Sequence, residues 1–106
     1  MQVLKTVKVY VEVAANFRSD GLIIPSSIIW EDGHRYEIDR VSDIRQAAAM
    51  KAGGQGDRYT IWINGKSTFL FFERATQKTG NIIGRWFVER RFINEETEGE
   101  NRWQII

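Results

Sequence analysis

The chain has 106 residues, is 42% hydrophobic and 12% aromatic, contains no cysteine and carries a formal net charge of +1. A chain of this size makes one domain that can bury a core without a metal or disulfide, and the missing thiols exclude disulfides, thiolate metal sites and a cysteine nucleophile. No apolar run approaches the roughly 18 residues of a membrane helix, and charge as early as Lys5 is foreign to a signal peptide, so a cytoplasmic protein is expected.

The charge is uneven. Glu95, Glu96, Glu98 and Glu100 against Arg102 give residues 95–106 a charge of −3, which leaves +4 on residues 1–94. A mildly basic body therefore precedes an acidic tail. The expected division is a domain at 1–94 and a solvated tail at 95–106.

Val7, Val9, Val11 and Val13 alternate with Lys8, Tyr10 and Glu12, the period-2 pattern of a half-buried strand. Asp20-Gly21 then predicts a hairpin turn, because Asp-Gly tolerates the positive φ that two-residue turns require. Leu22 to Trp30 reads as the return strand, with Pro25 at a bulge or an edge. Asp32-Gly33 predicts a second turn, and Arg35 to Val41 a third strand. Residues 42–52 read in two ways. Ser42 can cap a short helix through Ile44, Ala47, Ala48 and Met50, or the third strand can continue, bent, through Ile44; the bent or irregular path is preferred.

Gly53-Gly54-Gln55-Gly56-Asp57 reads as a flexible loop. Tyr59 to Ile63 and Ser67 to Phe72, joined by Asn64-Gly65, form the clearest hairpin. Residues 74–84 are a longer connection, and Arg85 to Phe92 is the last strand. Five to six sequential antiparallel strands suggest a small all-β barrel, SH3-like or OB-like, since closure removes exposed sheet edges. The strand order is not legible.

Catalytic signals are weak. Gly65-Lys66-Ser67 echoes the end of a phosphate-binding loop, but position 60 is Thr60 where a glycine is required. The glycines at 53–56 lack the spacing of a dinucleotide fingerprint. His34, the one histidine, stands beside a turn where exposed polar residues are the default. Asp39 and Asp43 fit surface pairs with Arg40 and Arg45 better than acid–base work. No enzyme, metal or cofactor is expected.

The facial pattern says more. A two-residue turn at Asn64-Gly65 sets Ile63 opposite Lys66, Trp62 opposite Ser67, Ile61 opposite Thr68, Thr60 opposite Phe69 and Tyr59 opposite Leu70. One face then holds Tyr59, Ile61, Ile63, Leu70 and Phe72, a core face. The other holds Thr60, Trp62, Ser67, Phe69 and Phe71, and is aromatic where water is expected. The same logic at Asp32-Gly33 pairs Trp30 with Arg35 and Ile29 with Tyr36. Tyr10 stands with Lys8 on the polar side of the first strand, and Arg85 with Phe87 on one side of the last.

Rings among cations suit single-stranded nucleic acid, where bases stack on aromatics and cations neutralise phosphates. The candidate binding residues are Trp62, Phe69, Phe71, Trp30, Arg35, Lys66, Arg85, Tyr10 and Lys8. The competing reading packs these rings under a loop, a protein partner or a second copy of the chain. The acidic tail ending in Trp103-Gln104-Ile105-Ile106 resembles in composition the C-terminal tail of bacterial single-strand-binding proteins, without their terminal Pro-Phe.

The stretch Ile28-Ile29-Trp30-Glu31-Asp32-Gly33-His34-Arg35-Tyr36-Glu37-Ile38-Asp39-Arg40-Val41, with Gly84-Arg85-Trp86-Phe87-Val88, resembles segments of small uncharacterised bacterial β-rich proteins, some encoded beside DNA-damage-tolerance polymerases. The resemblance covers about a quarter of the chain. It implies a non-enzymatic accessory in DNA replication or repair and assigns no functional residue.

Overall fold

Alternating β-branched and aromatic residues separated by glycine turns produce β-strands, with no helix among the described residues. In the computed structural model, residues 3–49, 54–75 and 80–94 are described, with the backbone alone at 3–5, 47–49, 54–55 and 91–94. They hold β1 (Val3–Phe17), β2 (Ile23–Ile29), β3 (Arg35–Glu37), β4 (Arg40–Ala49), β5 (Gly54–Ile63), β6 (Lys66–Arg74) and β7 (Gly84–Asn94). These strands make one antiparallel sheet in the order β3-β2-β1-β7-β6-β5-β4. Every neighbouring pair is consecutive in the chain except β1 with β7, which joins the first strand to the last.

The sheet curls into a barrel-like shape, and its two outer strands, β3 and β4, are separated by only Ile38 and Asp39. Consecutive amides there bond in opposite directions. Ile38 N–H donates to Ser26 O at 2.9 Å, and Asp39 N–H donates to Trp62 O at 2.7 Å. One bent run of chain thus ties both sheet edges together. The helix allowed for by the alanines is absent over 43–49, which is strand, and 50–52 lie outside the described residues. Pairing along β5, from Arg40–Trp62 to Ala49–Gly54, outweighs alanine's helical preference.

The core is the concave face. Ile28, Ile61 and Leu70 are fully buried, and Ile63, Val88, Tyr59, Trp30 and Phe72 nearly so. Val9, Val11, Val13, Tyr36, Val41 and Trp86 pack against them. Each fully buried aliphatic contributes about 1.5–3 kcal/mol relative to exposure. Tyr59 adds a polar strut: its hydroxyl donates to Ile23 O at 2.8 Å, linking β5 to β2 across the interior.

The turns differ in type. Asn64 and Gly65 have φ of 51° and 79°, the pair of positive values of a type I′ turn. The β5–β6 register is the one expected from it, Ile63–Lys66 through Tyr59–Leu70. Asp32-Gly33 is not a two-residue turn. Trp30 N–H donates to His34 O at 2.8 Å, closing a three-residue loop around Gly33 at φ 88°. The pairs are therefore Ile29–Arg35 and Ile28–Tyr36, one position from expectation. Asp20-Gly21 lies in a longer loop between paired Phe17 and Ile23, with Asp20 Oδ1 accepting from Leu22 N–H at 3.1 Å.

Pro25 sits at the expected bulge. Ala14 pairs with Ser27 and Ala15 with Pro25, so Ser26 has no partner position on β1. The glycine run at 53–57 was expected to be a loop, but residues from Gly54 onward belong to β5. A Cβ at Gly56 would lie 2.4 Å from Phe72 O, so glycine there serves a close approach of two backbones. Residues 95–106, the expected tail, lie outside the described residues. No helix of the described residues is long and apolar enough to cross a membrane.

Candidate binding face on the convex surface

Strand alternation sends Lys8 and Tyr10 of β1, Arg85 and Phe87 of β7, Phe69, Phe71 and Glu73 of β6, and Arg58, Thr60 and Trp62 of β5 to the convex side, opposite the core. Register lines up Tyr10 with Phe87, Phe87 with Phe71, and Phe71 with Arg58, one row across four strands. The rings touch in sequence. Tyr10 meets Phe87 edge-on at 5.9 Å, Phe87 stacks on Phe71 at 4.9 Å and 8°, and Phe71 meets Phe69 edge-on at 6.5 Å.

The middle of this spine is dry. Phe87 and Phe71 are 0% and 2% exposed and form a second, small apolar cluster outside the main core. The ends are wet, Tyr10 at 39% and Phe69 at 44% exposure. Phe71 is thus convex, as its position in the hairpin requires, but not available for stacking. β7 brings Phe87 directly onto it.

On this face Tyr10, Phe69 and Trp62 each carry an arginine. The Arg85 guanidinium lies 3.9 Å from the Tyr10 ring centre, Arg58 lies 4.4 Å from Phe69, and Arg40 lies 4.4 Å from Trp62. Trp62, partly exposed, also donates from Nε1 to Ser42 Oγ at 3.0 Å. The three arginines are not equivalent. Arg85 is committed: it donates to Tyr10 Oη at 3.2 Å and stands 3.6 Å from Glu73. Lys8 pairs with Glu73 at 2.9 Å, and Tyr10 donates its hydroxyl to the same carboxylate at 2.8 Å. The Lys8 hydrogen bond, helped by Tyr10, holds the Glu73 carboxyl below the ordinary carboxylate range; the Glu73 hydrogen bond raises the Lys8 ammonium. At this end one carboxylate engages both cations, so neither Lys8 nor Arg85 is uncommitted.

Arg58 and Arg40 differ. Among the described residues neither has an acidic partner within ion-pair distance, and Arg58 Nε is buried without a hydrogen-bond acceptor. Sequence reasoning missed both. The signal was present: continuing the hairpin register one step past Tyr59–Leu70 sets Arg58 opposite Phe71.

Trp30 does not belong to this face. It is 7% exposed and packs in the main core, because the longer Asp32-Gly33 loop moves it to the opposite side of the sheet. Arg35 is exposed on β3, paired to Glu37 at 2.9 Å, two strands from Tyr10 in the sheet. Lys66 is exposed but pairs in register with Ile63, so it stands on the core side at the end of the hairpin. Trp62, Phe69, Tyr10, Lys8 and Arg85 are on the convex side as expected. His34 is exposed in its loop, with its ring 4.4 Å from Tyr36. No group of three His, Cys, Asp or Glu side chains able to hold a metal occurs among the described residues. Compared with known proteins, the chain matches no family model, no curated protein and no solved structure.

Proposed function

We propose that the convex face binds single-stranded nucleic acid, without enzymatic activity, in an accessory role in DNA replication or repair. One observation carries this reading: Phe69 and Trp62, neighbours on the diagonal of the β5–β6 pair, each bear an arginine that no acidic side chain among the described residues pairs with. Diagonal neighbours stand about 7–8 Å apart. Bases stack on ring or guanidinium planes there, while the two cations meet phosphates. The Tyr10 end, where Glu73 engages both Lys8 and Arg85, borders the site.

Fluorescence anisotropy with labelled oligonucleotides at two salt concentrations tests this. Binding should weaken steeply with salt. Phe69→Ala should cost about 1–3 kcal/mol of affinity, and Arg58→Ala should reduce the salt slope by about 1. Binding that ignores salt, or survives both substitutions, would refute the proposal.

A second reading, a protein-interaction module, draws on a different region. Phe17, Leu22, Ile82 and Ile83 are 69%, 42%, 63% and 71% exposed, and strand directions bring the β1–β2 and β6–β7 connections to the same end of the sheet. Salt-insensitive capture of a partner lost on Phe17→Ser would favour it.

A further inference from the structure

The free edges of this sheet are protected unequally. Pairing on β3 stops after three residues. On β2, Pro25 has no N–H to offer, Ser26 O is taken by Ile38 N–H, and Ile23 O is taken by the Tyr59 hydroxyl. β4 runs for ten residues and, among the described residues, pairs with β5 alone and ends the sheet. Among the described residues no backbone group of 43–49 has a partner on its outer side. Ser42, Ile44, Arg45 and Gln46 are all exposed, Ile44 at 37%. A long open edge is a template for another strand.

The side chains say which strand. Two copies of β4 paired antiparallel about a twofold axis must set like-facing residues opposite each other, because the pleat alternates. The axis then passes at a residue paired with its own copy. Centring on Asp43 opposes two carboxylates; centring on Arg45 opposes two guanidinium groups; both are unfavourable. Centring on Ile44 opposes two exposed isoleucines and sets Asp43 opposite the partner's Arg45, twice. Asp43 and Arg45 already lie on one side of the strand, 2.7 Å apart within the chain. Their order along β4 is self-complementary only in this register, and isologous contacts need that property.

We infer that β4 pairs with β4 of a second copy, centred on Ile44, to form a twofold dimer with one sheet continuous across both chains. The twofold lies perpendicular to the sheet, so both convex faces look the same way. This inference is independent of the nucleic-acid reading and is tested without nucleic acid.

The experiment is sedimentation equilibrium of the full chain over a concentration series, with melting temperature recorded for each variant to confirm folding. The wild type should dimerise. Asp43→Arg alone and Arg45→Asp alone should each raise the dimer dissociation constant at least about tenfold, by opposing like charges. The double swap Asp43→Arg, Arg45→Asp restores opposite charges at both positions and should return the constant to within about threefold of wild type. Hydrogen exchange should show β4 amides protected more at high concentration than at low. A wild type that stays monomeric at several hundred micromolar overturns the inference. So does a dimer indifferent to the single swaps, or one that the double swap fails to rescue while the fold is intact.

Discussion

Phe87→Ala is the most discriminating substitution on the convex face. The ring is completely buried although it points away from the main core, stacked on Phe71 and edged by Tyr10, with Lys8 Nζ 5.1 Å from its centre. A surface phenylalanine would cost well under 1 kcal/mol on truncation. A buried one costs about 3–5 kcal/mol, through lost transfer energy plus the cavity left behind. At about 2.1 cal/mol/K per residue, unfolding entropy for 106 residues is near 0.22 kcal/mol/K. The expected drop in Tm is therefore about 14–22 °C. Against a total stability of about 5–15 kcal/mol, a loss of that size takes up much of the margin, so Phe87→Leu is the companion, expected to cost about 1–2 kcal/mol. Urea titration followed by circular dichroism gives both values. A loss below about 1 kcal/mol for Phe87→Ala would show that the ring cluster is wet and the convex face an ordinary polar surface.

Two glycines should fail for different reasons. Gly56→Ala pushes a Cβ against Phe72 O and should cost about 1–3 kcal/mol by overpacking; Gly65→Val meets nothing within 4 Å but must hold φ near 79°, costing about 1–3 kcal/mol in backbone strain. Either substitution within about 0.5 kcal/mol of wild type in urea titration contradicts its account. The Lys8–Glu73 pair predicts a pH profile. Glu73 has a folded pKa below the ordinary 4.5, so its contribution is full above that pH and lost as pH falls through the lowered value. Lys8 has a folded pKa above 10.5, so its contribution is full below that pH and lost as pH rises through the raised value. Glu73→Gln should flatten both limbs in stability measured from pH 2.5 to 11.5; a variant that tracks the wild type at acid pH would remove the pair from the account.

What could be read from the chain depended on turn length. Asn64-Gly65 is a two-residue turn, so the faces of Tyr59 to Phe72 were legible to the residue. Asp32-Gly33 has the same chemistry but closes a loop one residue longer, and a one-position slip carried Trp30 from the surface reading into the core. Composition does not distinguish these cases, since glycine with positive φ serves both. The burial of Phe71 was hidden for another reason. It depends on Phe87 arriving from β7 across the connection after Arg74, a register no short turn fixes. The cations sorted in the same way. On sequence, Lys8, Arg85 and Arg35 read as binding cations and Arg40 as a partner of Asp39 or Asp43, while Arg58 draws no notice; the placement of Glu73 and Glu37 commits the first three, and Asp43 pairs with Arg45 instead of Arg40.

The pairing of β1 with β7 bears on how the chain reaches this state. Every other ladder joins strands that follow one another, whereas Val3 meets Asn94 and Val11 meets Trp86. Loop-closure entropy makes such a contact the slow one, formed after the local hairpins are available. Refolding should be limited by that zippering, and substitutions at Val9 or Val88 should slow folding only to the extent that the closing seam is built in the transition state. The same adjacency gives the described ends a common address. Joining position 94 to position 3 through a short linker and reopening the chain between Ile38 and Asp39, where successive strands are not paired with each other, would turn the late, distant ladder into a local hairpin and make no other ladder distant. A permutant of that kind should fold faster than the parent at similar stability.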